Sequence, residues 1–152
     1  MLFLHSMPGC FETFDACWGR LRAAGVQTIV NLAQPGEVRR KSPAYAEALR
    51  NGRVPCPVVT FPVKDYASPR NLEAFWELAF DLDRRLKAGK RILIHCAAGV
   101  GRTGSLATCV LVALGETPEA AGEAVRAAGS QPGTDRQADL VAWCAARPGA
   151  ER

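Results

Sequence analysis

Short apolar runs alternate with longer amphipathic stretches along this chain. The apolar runs lie at residues 1–5, 26–32, 58–61 and 91–95. Runs of this length that are rich in branched aliphatic residues predict short buried strands. The run at 91–95 holds three consecutive aliphatic residues, which predicts a central strand covered on both faces.

Helical spacing and capping residues predict helices between these strands. An N-cap residue followed by proline starts a helix at 42–43, 68–69 and 117–118. Apolar positions also recur at helical spacing over 14–21 and 72–86, and further helices are predicted over about 103–114 and 135–146. Strands separated by helices predict one α/β domain over residues 1–152, with a central, mostly parallel sheet flanked by helices.

Composition excludes several classes of protein. The chain has 152 residues, of which 48% are hydrophobic and 22% charged, with a net charge of +4. This balance is too apolar for a disordered chain. The longest apolar run, residues 106–114, is too short to span a membrane, and the first residues lack the features of a secretory signal. We therefore expect a cytoplasmic protein with no membrane partner.

The distribution of charged residues, cysteines and histidines limits the ligands that the protein is expected to bind. The basic residues are scattered, with no block longer than residues 39–41, so no nucleic-acid partner is expected, and a mild positive charge suits an anionic substrate. The six cysteines and two histidines form no metal-site pattern, and no metal or other cofactor is predicted. Five of the cysteines are expected to be buried and inert.

The exception is Cys96, which lies in the segment most indicative of chemistry. This segment follows the predicted strand 91–95 and reads His95-Cys96-Ala97-Ala98-Gly99-Val100-Gly101-Arg102-Thr103-Gly104. Backbone N–H groups of such a small-residue turn, together with the start of the next helix, can bind a phosphate. Arg102 adds a planar fork that matches two phosphate oxygens. A cysteine at this place favours the thiolate, which is the reactive form.

The segment resembles the signature of the cysteine-dependent protein tyrosine phosphatases, in which His-Cys is followed by five residues, Arg, and Ser or Thr. Ala97 departs from it, since those proteins commonly have serine there. The resemblance implies a phosphatase-like fold and a phosphocysteine intermediate on Cys96. It also implies that residues 97–102 bind the phosphoryl group, with Arg102 stabilising its charge. Thr103 would donate a hydroxyl to the Cys96 sulfur, and His95 would hold the loop.

The family uses an aspartate about thirty residues earlier as general acid and then general base. The segment 61–69 resembles that loop, with an aromatic-proline start and Asp65 standing 31 positions before Cys96. Departure of a tyrosine oxygen needs a proton, which gives this carboxyl group its expected role. Asp81 and Asp83 are poorer candidates because they lie within a predicted helix.

A third candidate is Gln137, which matches the second of two glutamines that some family members place near the C-terminus to position water. The first of that pair falls on Gly133, and Gln131 is out of register. Thr134 and Gln137 also fit a helix capping box. Both interpretations of Gln137 stay open at this point.

The size resembles that of the small dual-specificity group. The expected activity is hydrolysis of phosphotyrosine in a protein or a small phosphate monoester, with phosphoserine and phosphothreonine left open. The loop lacks the lysine that phosphoinositide members commonly carry. The alternatives are an RNA 5′-triphosphatase or phosphoinositide phosphatase of the same superfamily, and a phosphate-binding module without turnover. The oligomeric state is not predicted.

Overall fold

One parallel sheet of four strands forms the middle of the molecule. The computed structural model describes residues 1–147. Its strands are β1 (Leu2–His5), β2 (Thr28–Asn31), β3 (Val58–Thr60) and β4 (Ile92–His95), in the order β1-β4-β2-β3. All neighbouring pairs are parallel, and every residue of β4 is buried, so the predicted α/β fold and its central strand are confirmed.

Helices cover both faces of this sheet. Their bounds are α1 (Phe14–Ala23), α2 (Pro35–Lys41), α3 (Pro43–Arg50), α4 (Leu72–Lys87), α5 (Gly101–Ala113), α6 (Pro118–Ala127) and α7 (Asp135–Ala145). None of the helices within residues 1–147 is long and apolar enough to cross a membrane.

Alternating strand residues divide the core into two layers. Leu93 of β4 and Ile29 of β2 pack against Trp18 of α1. Ile94 and its neighbours face the other way, where α5 lies between the sheet and helices α4, α6 and α7. Eleven of the thirteen α5 residues are buried, which fixes the N-terminal end of this helix at the carboxyl end of β4.

Two helix starts differ from the prediction. The α4 helix begins at Leu72 because Asn71, not Ser68, caps it: Asn71 Oδ1 accepts a hydrogen bond from Ala74 N at 3.0 Å. The hydroxyl of Ser68 donates instead to the carbonyl of Arg136, 2.7 Å away. The α5 helix starts at Gly101, two residues before the predicted start, so the last part of the glycine-rich turn is already helical.

The short helix α2 is absent from the prediction. Only two of its residues are buried, Glu37 and Val38, so it has no apolar periodicity to detect. Its signals are instead a proline at the first helical position, an acidic residue in the first turn and three basic residues in the last.

Candidate active site

The turn between β4 and α5, residues 96–102, forms a cradle loop at the carboxyl end of the sheet. Gly99 adopts a positive φ of 78°, and a side chain there would overlap the backbone of His5 and Ser6. The loop is also tied to the β1–α1 connection by a hydrogen bond from Met7 N to Ala97 O of 2.8 Å. Packing against β1 therefore requires glycine at position 99.

The backbone of this loop has several N–H groups free to donate. Among the described residues, the N–H groups of Ala97, Ala98, Gly99 and Val100 have no hydrogen-bond acceptor. The α5 helix begins directly after them and adds the positive end of its dipole. Successive free N–H groups at a turn before a helix are typical of an anion-binding concavity.

A cavity of about 290 Å³ opens above the cradle loop. Its lining brings together Asp65, Cys96, Arg102 and Gln137, four residues that the sequence singled out from three separate segments. Cys96 itself is 3% exposed. Lys41 and Tyr66 also line this cavity, although no sequence motif indicated either residue.

Arg102 is held by a carboxylate that sequence reasoning missed. Its Nη1 and Nη2 donate to the two oxygens of Glu37 at 2.8 Å each, and Nη1 also donates to the carbonyl of Val63 at 2.9 Å. Both charged side chains are buried. Hydrogen bonds from Arg102 lower the pKa of Glu37, which keeps this carboxyl group ionised.

This pairing leaves the Nε–Nη2 edge of the guanidinium without a hydrogen bond to a third residue, and Arg102 is among the residues that line the cavity. Nε makes no hydrogen bond to a described residue, and Nη2 forms an ion pair with Asp65 Oδ1 across 3.2 Å. The Nε–Nη2 edge is therefore the bidentate face that a phosphoryl group can take. Glu37 and Val63 fix the orientation of that face.

We expect Glu37→Gln to lower kcat/KM on an aryl phosphate by roughly 10- to 100-fold. The amide places an N–H₂ group against one of the Arg102 donors, so the guanidinium loses its fixed orientation. Glu47→Gln, an exposed glutamate on α3, is the matched control and should keep the wild-type rate. Circular dichroism at the assay temperature checks that both variants are folded. Wild-type rates in Glu37→Gln would show that Arg102 needs no such support.

His95 lies beneath the loop in a fully buried hydrogen-bond chain. Its Nδ1 donates to the carbonyl of Cys96 at 2.9 Å, so Nε2 accepts from the hydroxyl of Tyr45, also at 2.9 Å. Burial lowers the pKa of His95 to about 4. The ring is thus neutral at physiological pH, both its nitrogens are occupied, and it braces the loop.

The buried ring has a consequence for stability. Because the pKa of His95 is about 4 in the folded state and about 6.5 when unfolded, the unfolded chain binds an extra proton between these values. Stability is therefore lost as the pH falls through this window, by about 3 kcal/mol at pH 4. Urea unfolding of wild type and His95→Gln from pH 7 to 4 tests this. The variant should show a shallower decline, and equal declines would contradict it.

Asp65 lies on the acid loop, residues 61–69, between β3 and α4. Its side chain is 47% exposed, and Oδ1 accepts from Tyr66 N at 3.1 Å in addition to its contact with Arg102. Tyr66 has a positive φ of 59°, so the chain turns sharply directly after the carboxylate. Asp65 is among the residues that line the cavity.

Gln137 joins the acid loop to the start of α7. Its Oε1 accepts from Gly133 N at 2.8 Å, and its Nε2 donates to Ala67 O at 3.4 Å. Thr134 does cap α7, accepting from Gln137 N at 3.3 Å, but the glutamine does not return a bond to Thr134 as a full capping box would. The side chain is 1% exposed and borders the cavity beside Gly101.

The remaining predicted residue, Thr103, lies on the first turn of α5. It is fully buried, and its hydroxyl makes no hydrogen bond within residues 1–147. The expected bond from this hydroxyl to the Cys96 sulfur is therefore not formed in this conformation.

Together these groups suit transfer of a phosphoryl group. The cradle loop and Arg102 can bind its non-bridging oxygens, and Cys96 and Asp65 line the same cavity. A nucleophile and an acid beside one anion site are the groups that a displacement at phosphorus requires.

Known proteins resemble this chain in sequence and fold. Residues 12–150 match a family described as PTP-SAK: Swiss Army Knife protein, DSP-PTPase phosphatase domain. The chain is similar to cyclin-dependent kinase inhibitor 3 of Homo sapiens, with 29% identity over 135 residues, 82% of this chain and 61% of that protein. It thus spans less than two thirds of this relative.

Solved structures agree on the architecture. Kinase associated phosphatase (KAP), with serine substituted for its catalytic-site cysteine, superposes with a TM-score of 0.80 at 23% identity, over 97% of this chain and 89% of that one. Tk-PTP in the active form gives 0.75 at 23% identity, over 94% and 90%. At these identities the structural matches establish the fold.

Proposed function

The chain belongs to the PTP-SAK family of DSP-PTPase phosphatase domains, and from that premise we propose that it hydrolyses phosphotyrosine monoesters through a phosphocysteine intermediate. The observation that carries this proposal is the convergence at one cavity of Cys96, the free Nε–Nη2 edge of Arg102, and Asp65. A protein that only binds phosphate needs neither a thiol nor a carboxylic acid there.

The first step forms the phosphocysteine. The Cys96 thiolate attacks phosphorus, and the bond from phosphorus to the ester oxygen breaks. Arg102 and the N–H groups of the cradle loop stabilise the charge on the three equatorial oxygens. Asp65, in its acid form, gives its proton to the departing tyrosine oxygen.

The second step restores the enzyme. Asp65, now ionised, takes a proton from a water molecule as that water attacks the phosphocysteine. The bond between sulfur and phosphorus breaks, inorganic phosphate leaves and the thiolate is regenerated. Gln137, at the same cavity and bonded to the acid loop, is placed to help orient this water.

The contact between Asp65 and Arg102 suggests how substrate prepares the site. The Asp65 carboxylate lies 3.2 Å from Nη2, so it competes with a bound phosphoryl group for the charge of Arg102. Phosphate binding at the Nε–Nη2 edge would displace Asp65 from this contact, and the released carboxylate would take up from solvent the proton that it then gives to the ester oxygen. Substrate binding and placement of the acid are then one event.

A substrate panel tests the activity. Initial rates would be measured on phosphotyrosine, phosphoserine and phosphothreonine peptides, a phosphoinositide and RNA ending in a 5′-triphosphate. We expect phosphotyrosine to give the highest kcat/KM. A higher kcat/KM on the phosphoinositide or the RNA would replace the proposed substrate class. Absence of turnover on every substrate would indicate a phosphate-binding module instead of an enzyme.

Arg102→Lys tests the bidentate contact. Lysine keeps the positive charge but lacks the planar fork, so it cannot bond to Glu37 and the phosphoryl group together. We expect kcat/KM on an aryl phosphate to fall by about 10²-fold or more. Arg40→Lys, on the exposed face of α2, serves as the control and should leave the rate unchanged. More than half of the wild-type rate in Arg102→Lys would contradict the proposed clamp.

A further inference from the structure

A second cluster of reactive side chains lies behind the cradle loop, where β1 ends and α1 begins. His5 ends β1, Glu12 lies on the connecting loop and Cys17 is on α1. One ligand atom from each lies within 4.8 Å of the other two. The spacings of seven and five residues match no common metal motif, so this cluster could not be predicted from the sequence.

We propose that His5, Glu12 and Cys17 form a binding site for a divalent transition metal, with Zn²⁺ as the preferred ion. Imidazole, carboxylate and thiolate are the three side-chain ligand types that zinc takes in proteins. Three protein ligands would leave the fourth tetrahedral position to water. Metal binding releases the Cys17 thiol proton to solvent, as coordination requires the thiolate.

The orientation of His5 supports this assignment. Its Nδ1 lies 2.7 Å from the carbonyl oxygen of Ser6, which can only accept, so Nδ1 carries the hydrogen. The lone pair of the neutral ring is then on Nε2, which faces Glu12 across 3.8 Å. A backbone carbonyl that fixes the tautomer in this way is a regular outer partner of metal-binding histidines.

Cys17 is also prepared for a ligand role. Its side chain is fully buried beneath the cluster, so it closes the inner side of the site. His5 and Glu12 are about one quarter exposed, which leaves a path from solvent for the ion.

A cation already occupies the outer side of the cluster. Both terminal nitrogens of Arg20 lie 2.5 Å from the Glu12 oxygens, and Nη2 is 3.4 Å from His5 Nε2. The Arg20 side chain is 62% exposed, so it can swing into solvent when a metal ion enters. Arg20 thus competes with the metal for Glu12, and removing it should strengthen metal binding.

Metal binding at this cluster would stabilise the cradle loop through the β1–α1 connection. The β1–α1 connection donates from Met7 N to Ala97 O, and Gly99 packs on the backbone of His5. A metal ion joining the end of β1 to α1 would hold this connection against the cradle loop. We therefore assign the site a structural role, and expect Zn²⁺ to raise Tm.

The test uses the untagged full chain carrying Cys96→Ser, which removes the thiol of the phosphatase site as a competing metal ligand. Co²⁺ is titrated first, and we expect one equivalent to produce a thiolate-to-cobalt charge-transfer band that Zn²⁺ then abolishes. Adding Cys17→Ala should eliminate the band, while Cys109→Ala, which removes a buried thiol elsewhere, should keep it.

His5 and Glu12 are partly exposed, so their substitution tests the site even if Cys17→Ala fails to fold. His5→Gln and Glu12→Gln should each weaken Zn²⁺ binding by about 100-fold or more in competition with a chelator. Arg20→Gln should instead tighten it by about tenfold. Absence of stoichiometric binding, binding indifferent to His5 and Glu12, or weaker binding in Arg20→Gln would overturn the proposal. None of these readouts depends on phosphatase activity.

Discussion

Cys96→Ser is expected to abolish turnover, with a loss on the order of 10⁴-fold or more, while the fold and phosphate binding remain. A serine hydroxyl must lose its proton before it can attack, and Asp65 cannot take that proton because it enters this step in its acid form. His95, the nearest imidazole, donates from Nδ1 to the carbonyl of residue 96 and accepts at Nε2 from Tyr45. Neither nitrogen is free to take a proton from the side chain at 96.

Two measurements separate this chemical loss from misfolding. Single-turnover kinetics on an aryl phosphate should show no phosphoenzyme and no burst in Cys96→Ser, whereas isothermal titration should show that the variant still binds a phosphotyrosine peptide. Cys56→Ser, a partly buried cysteine before β3, is the control and should retain the wild-type rate. Near-normal turnover in Cys96→Ser would exclude a covalent mechanism on this residue.

The general fold was accessible from sequence because its signals are local. The apolar run at 91–95 and the N-cap at Thr117 each act within a few residues, and the structure confirms the strand and the helix they predict. Ser68 shows the limit of such signals. Its hydroxyl is taken by the carbonyl of Arg136, so a tertiary contact left the capping of α4 to Asn71.

The candidate site was accessible only in part, for a related reason. Cys96, Arg102 and their loop form one continuous segment, so a motif exposes them together. Glu37 lies 65 residues from Arg102, on a helix without apolar periodicity, and only the fold brings its carboxylate to the guanidinium. Tyr45 reaches His95 across 50 residues in the same way. Side chains that position a reactive group have no spacing rule linking them to it.

Asp65→Asn gives the second large expected effect, and it tests the proposed acid directly. The amide keeps the shape of the side chain but has no proton to give. For phosphotyrosine, whose leaving group has a pKa near 10, we expect a loss of roughly 10²–10⁴-fold in kcat/KM. Asp81→Asn, on α4 and paired with Arg85, is the matched control and should change the rate little.

The size of this loss should depend on the leaving group, because a proton matters only where the departing oxygen cannot carry its own charge. Rates for Asp65→Asn would be measured on a series of aryl phosphates of decreasing leaving-group pKa, and the deficit should shrink steadily along it. A second effect must be separated, since the variant also loses the ion pair from Asp65 to Arg102. Loss of this ion pair changes phosphate binding equally for every ester. It therefore shifts all rates by one factor and leaves unchanged the slope of log rate against leaving-group pKa. An equal deficit across the series would therefore assign Asp65 to the Arg102 contact alone and place the acid elsewhere.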